Sequence, residues 1–266
     1  MKTSKIKARI AGIILAGITA LSFAGCKEKG AETSSKGGAS NIEKLKAGTP
    51  APESDFEVTL TNDGNGVIIK EYKGNAKNIV IPSTIQGMPV IVAGGFGNKE
   101  LKSVVIPEGV KKIDNYAFFE CENLTTVVLP SSLRVIDYQA FSGCKKLTSL
   151  NFPEGLVWIR AAFYDSGLTS VTLPKSLKIM EIGAFDGSDE LSEINIPEGL
   201  NIYAFWPDIL KDEPETFDRF FSGTKIEESI ALQKLLKEYS TVIPGEEDEE
   251  KFYDYLFNNV DYNIFD

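Results

Sequence analysis

Few side chains in this 266-residue sequence can do covalent or acid–base chemistry. Histidine is absent altogether. Imidazole titrates near neutral pH and is the commonest metal ligand. Its absence excludes Ser-His-Asp and Cys-His catalysis and the usual His-containing zinc sites. Asp and Glu number 38, so a glycosidase-type carboxylate pair is not excluded by counting. None of them breaks the regular pattern of the central chain, as a grafted catalytic site would. The three cysteines, Cys26, Cys121 and Cys144, are too few for a disulfide scaffold. No phosphate-cradling glycine loop is present, and Gly94 and Gly95 read as a turn or bulge. The stretch Asn62 to Gly66 offers oxygens but lacks the alternating ligands and closing Glu of a calcium loop. The acidic run Glu246 to Glu250 reads as a solvated loop or helix start rather than a cation site. The sequence is therefore expected to hold no metal or cofactor and to have no enzymatic activity.

The formal charge is −10, from 28 basic and 38 acidic residues. Such a balance argues against holding nucleic acid by phosphate contacts. Positive charge is concentrated at the start, at Lys2, Lys5, Lys7 and Arg9. An apolar stretch follows from Ile10 to Phe23, then Ala24, Gly25 and Cys26. This is the pattern of a signal peptide and is short for a spanning helix. A cysteine after Ala-Gly is similar to the lipobox of bacterial lipoproteins, although Phe23 stands where that family usually has Leu. The resemblance implies that residues 1–25 are removed and that Cys26 becomes an acylated N-terminus. An N-terminal transmembrane anchor with an incidental cysteine is the competing reading. Two or three acyl chains give stable membrane attachment. Cleavage leaves 24 basic against 38 acidic residues, a net −14. Residues 26–55 are rich in Gly, Ser, Lys, Glu and Ala without apolar periodicity, and are expected to be a flexible tether.

The elements that position everything else come from a repeat. The pattern Leu-x-x-Val-x-Leu-Pro starts at Leu101, Leu124, Leu147, Leu168 and Leu191, spaced 23, 23, 21 and 23 residues apart. Each copy ends in Pro107, Pro130, Pro153, Pro174 or Pro197. A second element follows with Ala117-Phe118, Ala140-Phe141, Ala162-Phe163 and Ala184-Phe185. A fixed period of this length means a solenoid. Within one copy, Leu124, Val127 and Leu129 should point inward along a short strand, with Thr126 and Val128 outward. Pro130 ends the strand because it has no N–H to give. Leu133, Ile136, Ala140 and Phe141 then turn an apolar side back inward on the convex side. One coil cannot bury these residues alone, and stacking coils at roughly 4.8 Å makes ladders of like residues.

These copies resemble the BspA-like leucine-rich repeats of bacterial surface proteins over residues 78–205. The resemblance implies a leucine-rich-repeat solenoid of about 23-residue repeats with short parallel strands on one face, and an exported adhesin-like protein that binds other proteins or cells. The fifth copy is irregular. It ends at Ala204-Phe205, or its second half is displaced to Phe220-Phe221 by an insertion over 201–219.

A solenoid needs caps on its apolar end coils. Phe56 to Leu60 and Gly66 to Lys70 alternate like strands around a turn signal, giving a β-hairpin cap with a partial repeat across 56–100. That partial repeat supplies Ile79, Ile81, Pro82, Val90, Ile91 and Phe96. Residues 206–266 hold 16 acidic and 6 basic residues. Ile226, Ile230, Leu232, Leu235, Leu236 and Tyr239 recur there at helical spacing, so an acidic, partly helical C-terminal cap is expected.

Cys121 and Cys144 fall three residues after the repeat Phe, in stacked coils. Their spacing allows a disulfide. Ser166 and Ser188 share the same slot, which favours small buried side chains and free thiols. The expected working surface is the outward, concave side of the strands: Ser103, Val105, Thr126, Val128, Ser149, Asn151, Ser170, Thr172, Glu193 and Asn195. These residues are also simply good strand formers. Tyr116, Tyr138, Trp158 and Tyr164 offer a rival exposed patch. The expected partner is a protein, from host matrix or another cell surface, or a glycan, bound by a monomer on the outer-membrane surface. A periplasmic assembly factor is the second reading, and an envelope enzyme the third.

Overall fold

A computed structural model describes residues 42–97, 100–181, 183–197 and 200–203, together with Thr224 and Ile226. The signal segment, Cys26, Phe205, Phe221 and the acidic C-terminal region lie outside the described residues.

Most coils are built from two short strands separated by proline. The first set is β3 (Asn78–Val80), β6 (Ser103–Val105), β8 (Thr126–Val128), β11 (Ser170–Thr172) and β13 (Glu193–Asn195). They pair in parallel as β3-β6-β8 and β11-β13. The second set is β5 (Met88–Ala93), β7 (Lys112–Ile113), β9 (Val135–Ile136), β10 (Trp158–Ile159), β12 (Ile179–Glu181) and β14 (Asn201–Tyr203). These pair in parallel in that order. The sequence led us to expect strands on one face only. The second sheet forms where most coils carry adjacent apolar residues, such as Val135-Ile136, and both of those side chains are buried.

The antiparallel hairpin of β1 (Phe56–Leu60) and β2 (Val67–Tyr72) joins this second sheet through β2 and β5. Its turn is held by Thr61 and Asp63. The Thr61 hydroxyl donates to Asp63 Oδ1 at 2.6 Å and accepts from the Gly66 N–H at 3.0 Å. In the stretch read as a partial repeat, Ile79, Ile81, Val90 and Phe96 are buried. A two-residue strand, β4 (Thr84–Ile85), folds back on β5 within it.

The core is a column of phenylalanines. Phe96, Phe118, Phe141, Phe163 and Phe185 stack with centroids 4.9, 5.1, 5.4 and 5.4 Å apart. Their turns are joined by a further backbone ladder. The N–H groups of Phe96, Phe118, Phe141 and Phe163 donate to the carbonyls of Ala117, Ala140, Ala162 and Ala184 in the next coil. Two residues beyond each Phe, the backbone is left-handed at Glu120, Gly143, Asp165 and Gly187. Glycine takes this conformation without steric cost, whereas Glu120 and Asp165 carry strain.

The third coil departs from the others. Residues 149–151 pair with neither β8 nor β11, so the first sheet is interrupted there. The slot held by Ile106, Leu129, Leu173 and Ile196 contains Phe152 in this coil. Its larger ring meets Phe163 edge-on at 5.6 Å. The same coil is shorter, and its turn closes at Gly167. A Cβ on Gly167 would lie 2.0 Å from the Lys145 carbonyl oxygen.

Residues 42–55, part of the stretch read as a flexible tether, are structured. A short helix, α1, spans 42–46. Ala51 donates its N–H to the Val80 carbonyl at 2.8 Å and packs against the core. Composition concealed this, because the docking rests on a backbone bond and one small apolar residue.

Candidate binding surface

The row proposed from the sequence divides in two. Ser149, Asn151, Ser170, Thr172, Glu193 and Asn195 are exposed, and Thr126 is half-buried. Ser103, Val105 and Val128 are buried, which corrects their assignment to an open face. Ser103 donates its hydroxyl to Asn78 Oδ1 at 2.7 Å, while Val105 lies in register between Val80 and Val128. The chain after α1 lies against this end, where a Cβ on Gly48 would be 3.0 Å from Val80 Cγ2. The accessible part therefore belongs to the coils starting at Leu147, Leu168 and Leu191. It is a small, hydrogen-bonding surface in which Glu193 is the single charged member of the six.

The register of β11 and β13 sets Ser170 beside Glu193 and Thr172 beside Asn195. Val171 and Ile194 between them face the core side and hold the strands in place. A polypeptide or sugar can exchange hydrogen bonds with this edge without displacing any core residue.

The aromatic patch also divides. Tyr116 and Tyr164 are 49% and 46% exposed, whereas Trp158 is 7% exposed and so does not belong to an open surface. Tyr138 is half-buried. Tyr116 meets Phe119 and Tyr138 edge-on, each at 5.6 Å. Its backbone is left-handed, with φ 56°, and these two ring contacts accompany that strained conformation.

Sequence reasoning missed a charged row on the second sheet. Lys112 Nζ lies 2.8 Å from Asp137 Oδ2 and 3.2 Å from Asp114 Oδ1. Arg160 reaches Asp137 Oδ1 at 2.9 Å through Nη1 and Glu181 Oε1 at 2.7 Å through Nε. The Arg160 guanidinium also lies 5.3 Å from the Trp158 ring centroid, within cation–π range. Burial pushes the Glu181 carboxyl up from its ordinary value, against the opposing pull of Arg160. The signal was present in the sequence: Asp114, Asp137 and Arg160 each follow the second-strand Ile at intervals of 23 residues.

Cys121 and Cys144 are free and buried. Cys121 Sγ lies 3.3 Å from the Phe96 carbonyl oxygen, and Cys144 Sγ lies 3.2 Å from that of Phe118. Ser188 makes the equivalent bond to Phe163 at 2.9 Å. The slot thus holds a short donor that satisfies a carbonyl one coil back. Burial pushes the Cys144 thiol pKa strongly upward.

Both halves of this repeat unit match the BspA type leucine rich repeat region, in six copies across residues 89–206. Residues 89–206 belong to the BspA-type leucine-rich repeat family. Solved structures share the fold. The leucine rich repeat protein of T. pallidum is 25% identical, with a TM-score of 0.52, covering 71% of this chain and 95% of that one. A leucine rich cell surface protein of Faecalibacterium prausnitzii is 24% identical, with a TM-score of 0.52, covering 67% and 48%. A leucine-rich repeat protein of Bacteroides ovatus is 23% identical, with a TM-score of 0.50, covering 56% and 42%. The chain therefore spans less than half the length of the latter two. No curated protein sequence matches the chain. The leucine-rich repeat explains the Leu, Phe and Cys or Ser columns as packing positions, and its variable positions form the exposed row.

Proposed function

We propose that this leucine-rich-repeat protein is an exported lipoprotein of the bacterial cell surface, acylated at Cys26, which binds a protein or glycan ligand as a monomer. The single observation that carries the binding role is the exposed row Ser149, Asn151, Ser170, Thr172, Glu193 and Asn195. Ser170, Thr172, Glu193 and Asn195 stand on the parallel β11-β13 ladder, whose packing does not need them, and Ser149 and Asn151 lie on the unpaired stretch of the coil before it. The surface location draws support from the basic and apolar N-terminal sequence ending at Cys26. It also draws on the leucine rich cell surface protein of F. prausnitzii with the same fold. The chemistry this row offers is recognition by hydrogen bonds.

Two measurements on the full-length protein test this reading. External protease on intact cells should digest it, and protection would overturn the surface location. Captured matrix or cell-surface ligand should be lost on Thr172→Arg with Asn195→Arg, without loss of folding. Unchanged capture would move the binding site elsewhere.

A further inference from the structure

The first sheet breaks at the third coil because backbone bonds made elsewhere in it are missing there. Ile106 donates its N–H to the Val128 carbonyl at 3.0 Å, and Leu173 to that of Asn195 at 3.2 Å. The equivalent bonds from Leu129 to Asn151 and from Phe152 to Thr172 do not form, nor does that from Ser149 to Thr125. Polar side chains do not explain the gap, since Glu193-Ile194-Asn195 pairs with β11. Two inward positions do differ. Val104, Val127, Val171 and Ile194 are β-branched where this coil has Leu150, and Phe152 replaces the Leu or Ile of the other coils. Branching at Cβ favours strands, and the Phe152 ring, edge-on to Phe163, needs more room than Leu or Ile.

We propose that residues 149–152 are a strand held out of the first sheet by Leu150 and Phe152, which joins β8 and β11 reversibly. The surroundings are already set for closure. Across the coil, the second sheet runs through β9, β10 and β12 without a gap. Phe118, Phe141 and Phe163 keep spacings of 5.1 and 5.4 Å. The start of the segment is fixed, because the Thr169 N–H and hydroxyl both donate to the Thr148 carbonyl, at 3.1 and 3.2 Å. Only the residues after it need move. The Thr125 carbonyl and the Leu129 N–H that they would meet take no other backbone partner among the described residues.

The device regulates the exposed row, and its use rests on the binding role proposed above. Closed, Asn151 comes into register with Thr172, which already stands beside Asn195. Three exposed side chains then form one line across three coils at about 4.8 Å spacing. Open, Ser149 and Asn151 are uncoupled from Ser170 and Thr172. A ligand that touches all three coils binds the closed form best and draws the equilibrium toward it. Its apparent affinity is reduced by the fraction of molecules that are closed. A ligand confined to β11 and β13 is indifferent to the switch.

Hydrogen exchange and disulfide trapping in the full-length protein test the proposal without any ligand, so its failure is separate from failure of the binding role. In the wild type, the amides of 149–152 should exchange at least about 100-fold faster than those of Val171 and Asn195. Leu150→Val with Phe152→Leu restores residues used by the other coils, and should slow exchange at 149–152 about tenfold or more. Wild-type protection equal to that of β13, or unchanged exchange in the double variant, overturns the proposal. Trapping uses a Cys121→Ser, Cys144→Ser background. There, Asn151→Cys with Thr172→Cys should form a disulfide under mild oxidation, more slowly than Thr172→Cys with Asn195→Cys, which are paired throughout. The new bond should also slow exchange at 149–152. No bond while the control pair closes, or a bond that leaves exchange fast, overturns reversible joining.

Discussion

The rings of Phe141 and Phe163 lie parallel, 2° apart in orientation, with centroids separated by 5.4 Å. Each is fully buried and sits between two other rings of the same column. Removing one ring therefore opens a cavity bounded by coils on both sides. Phe141→Ala should cost about 3–5 kcal/mol. Tyr164→Ala, at an exposed neighbour of the column, should stay within about 0.5 kcal/mol. Urea denaturation of the two variants checks the contrast, and equal midpoints would show that the column does not carry the stability assigned to it.

Asp137 is shared by Lys112 and Arg160, and its side chain is 4% exposed. Asp137→Asn keeps the shape and removes the charge. Asp114 and Glu181 retain one contact each with the two cations, so the loss should lie near the lower end for a broken buried pair, about 3 kcal/mol. The denaturation midpoint should fall with an unchanged m value.

The thiol slot makes a different prediction. Ser166 and Ser188 occupy it in later coils, with Ser166 Oγ and Ser188 Oγ 2.9 Å apart. Serine at Cys121 and Cys144 can therefore bond the same carbonyls. Cys121→Ser with Cys144→Ser should cost less than about 1.5 kcal/mol, the scale of one hydrogen bond. In the native protein, neither thiol should react with a thiol reagent at pH 8, because burial raises the Cys144 pKa and thiolate is the reactive form. Rapid labelling of the folded protein would contradict the buried placement.

The hairpin turn sets a pH dependence. The Thr61 hydroxyl, then the Asn65 backbone and side-chain amides, hold the Asp63 carboxyl down at about 2. A depressed carboxylate contributes stability above its unfolded value of 3.8. That contribution is lost as pH falls toward about 2. Wild-type protein should lose stability across this window, and Asp63→Asn should lose less of it. Urea midpoints at pH 5 and pH 2.5 make the comparison, and parallel losses in both proteins would remove Asp63 from the account.

The repeat was legible because its physics is local and periodic. Leu124 and Pro130 recur in all five copies and Phe141 in the first four, and each type has one structural use. The outer faces were less legible. Val105 and Thr172 occupy equivalent positions in their copies, yet one is buried and the other exposed. Their difference depends on whether another segment lies over the coil, which the repeat pattern does not encode. Trp158 was misplaced because the Arg160 guanidinium lies 5.3 Å from its ring centroid, a contact between side chains that the spacing of the copies does not show. The charged row was readable as a column of like positions, but only once Asp114, Asp137 and Arg160 are compared between copies rather than along one copy.

The interruption at residues 149–151 has a mechanical consequence. On one side of the phenylalanine column the hydrogen-bonded sheet runs without a break from β2 to β14; on the other it stops at the third coil and resumes at β11. Load on the molecule would then be borne unequally, with the continuous side resisting extension and the divided side yielding first. A chain pulled between its N-terminal end and the last coils would flex at Phe152 before any strand on the continuous side separates.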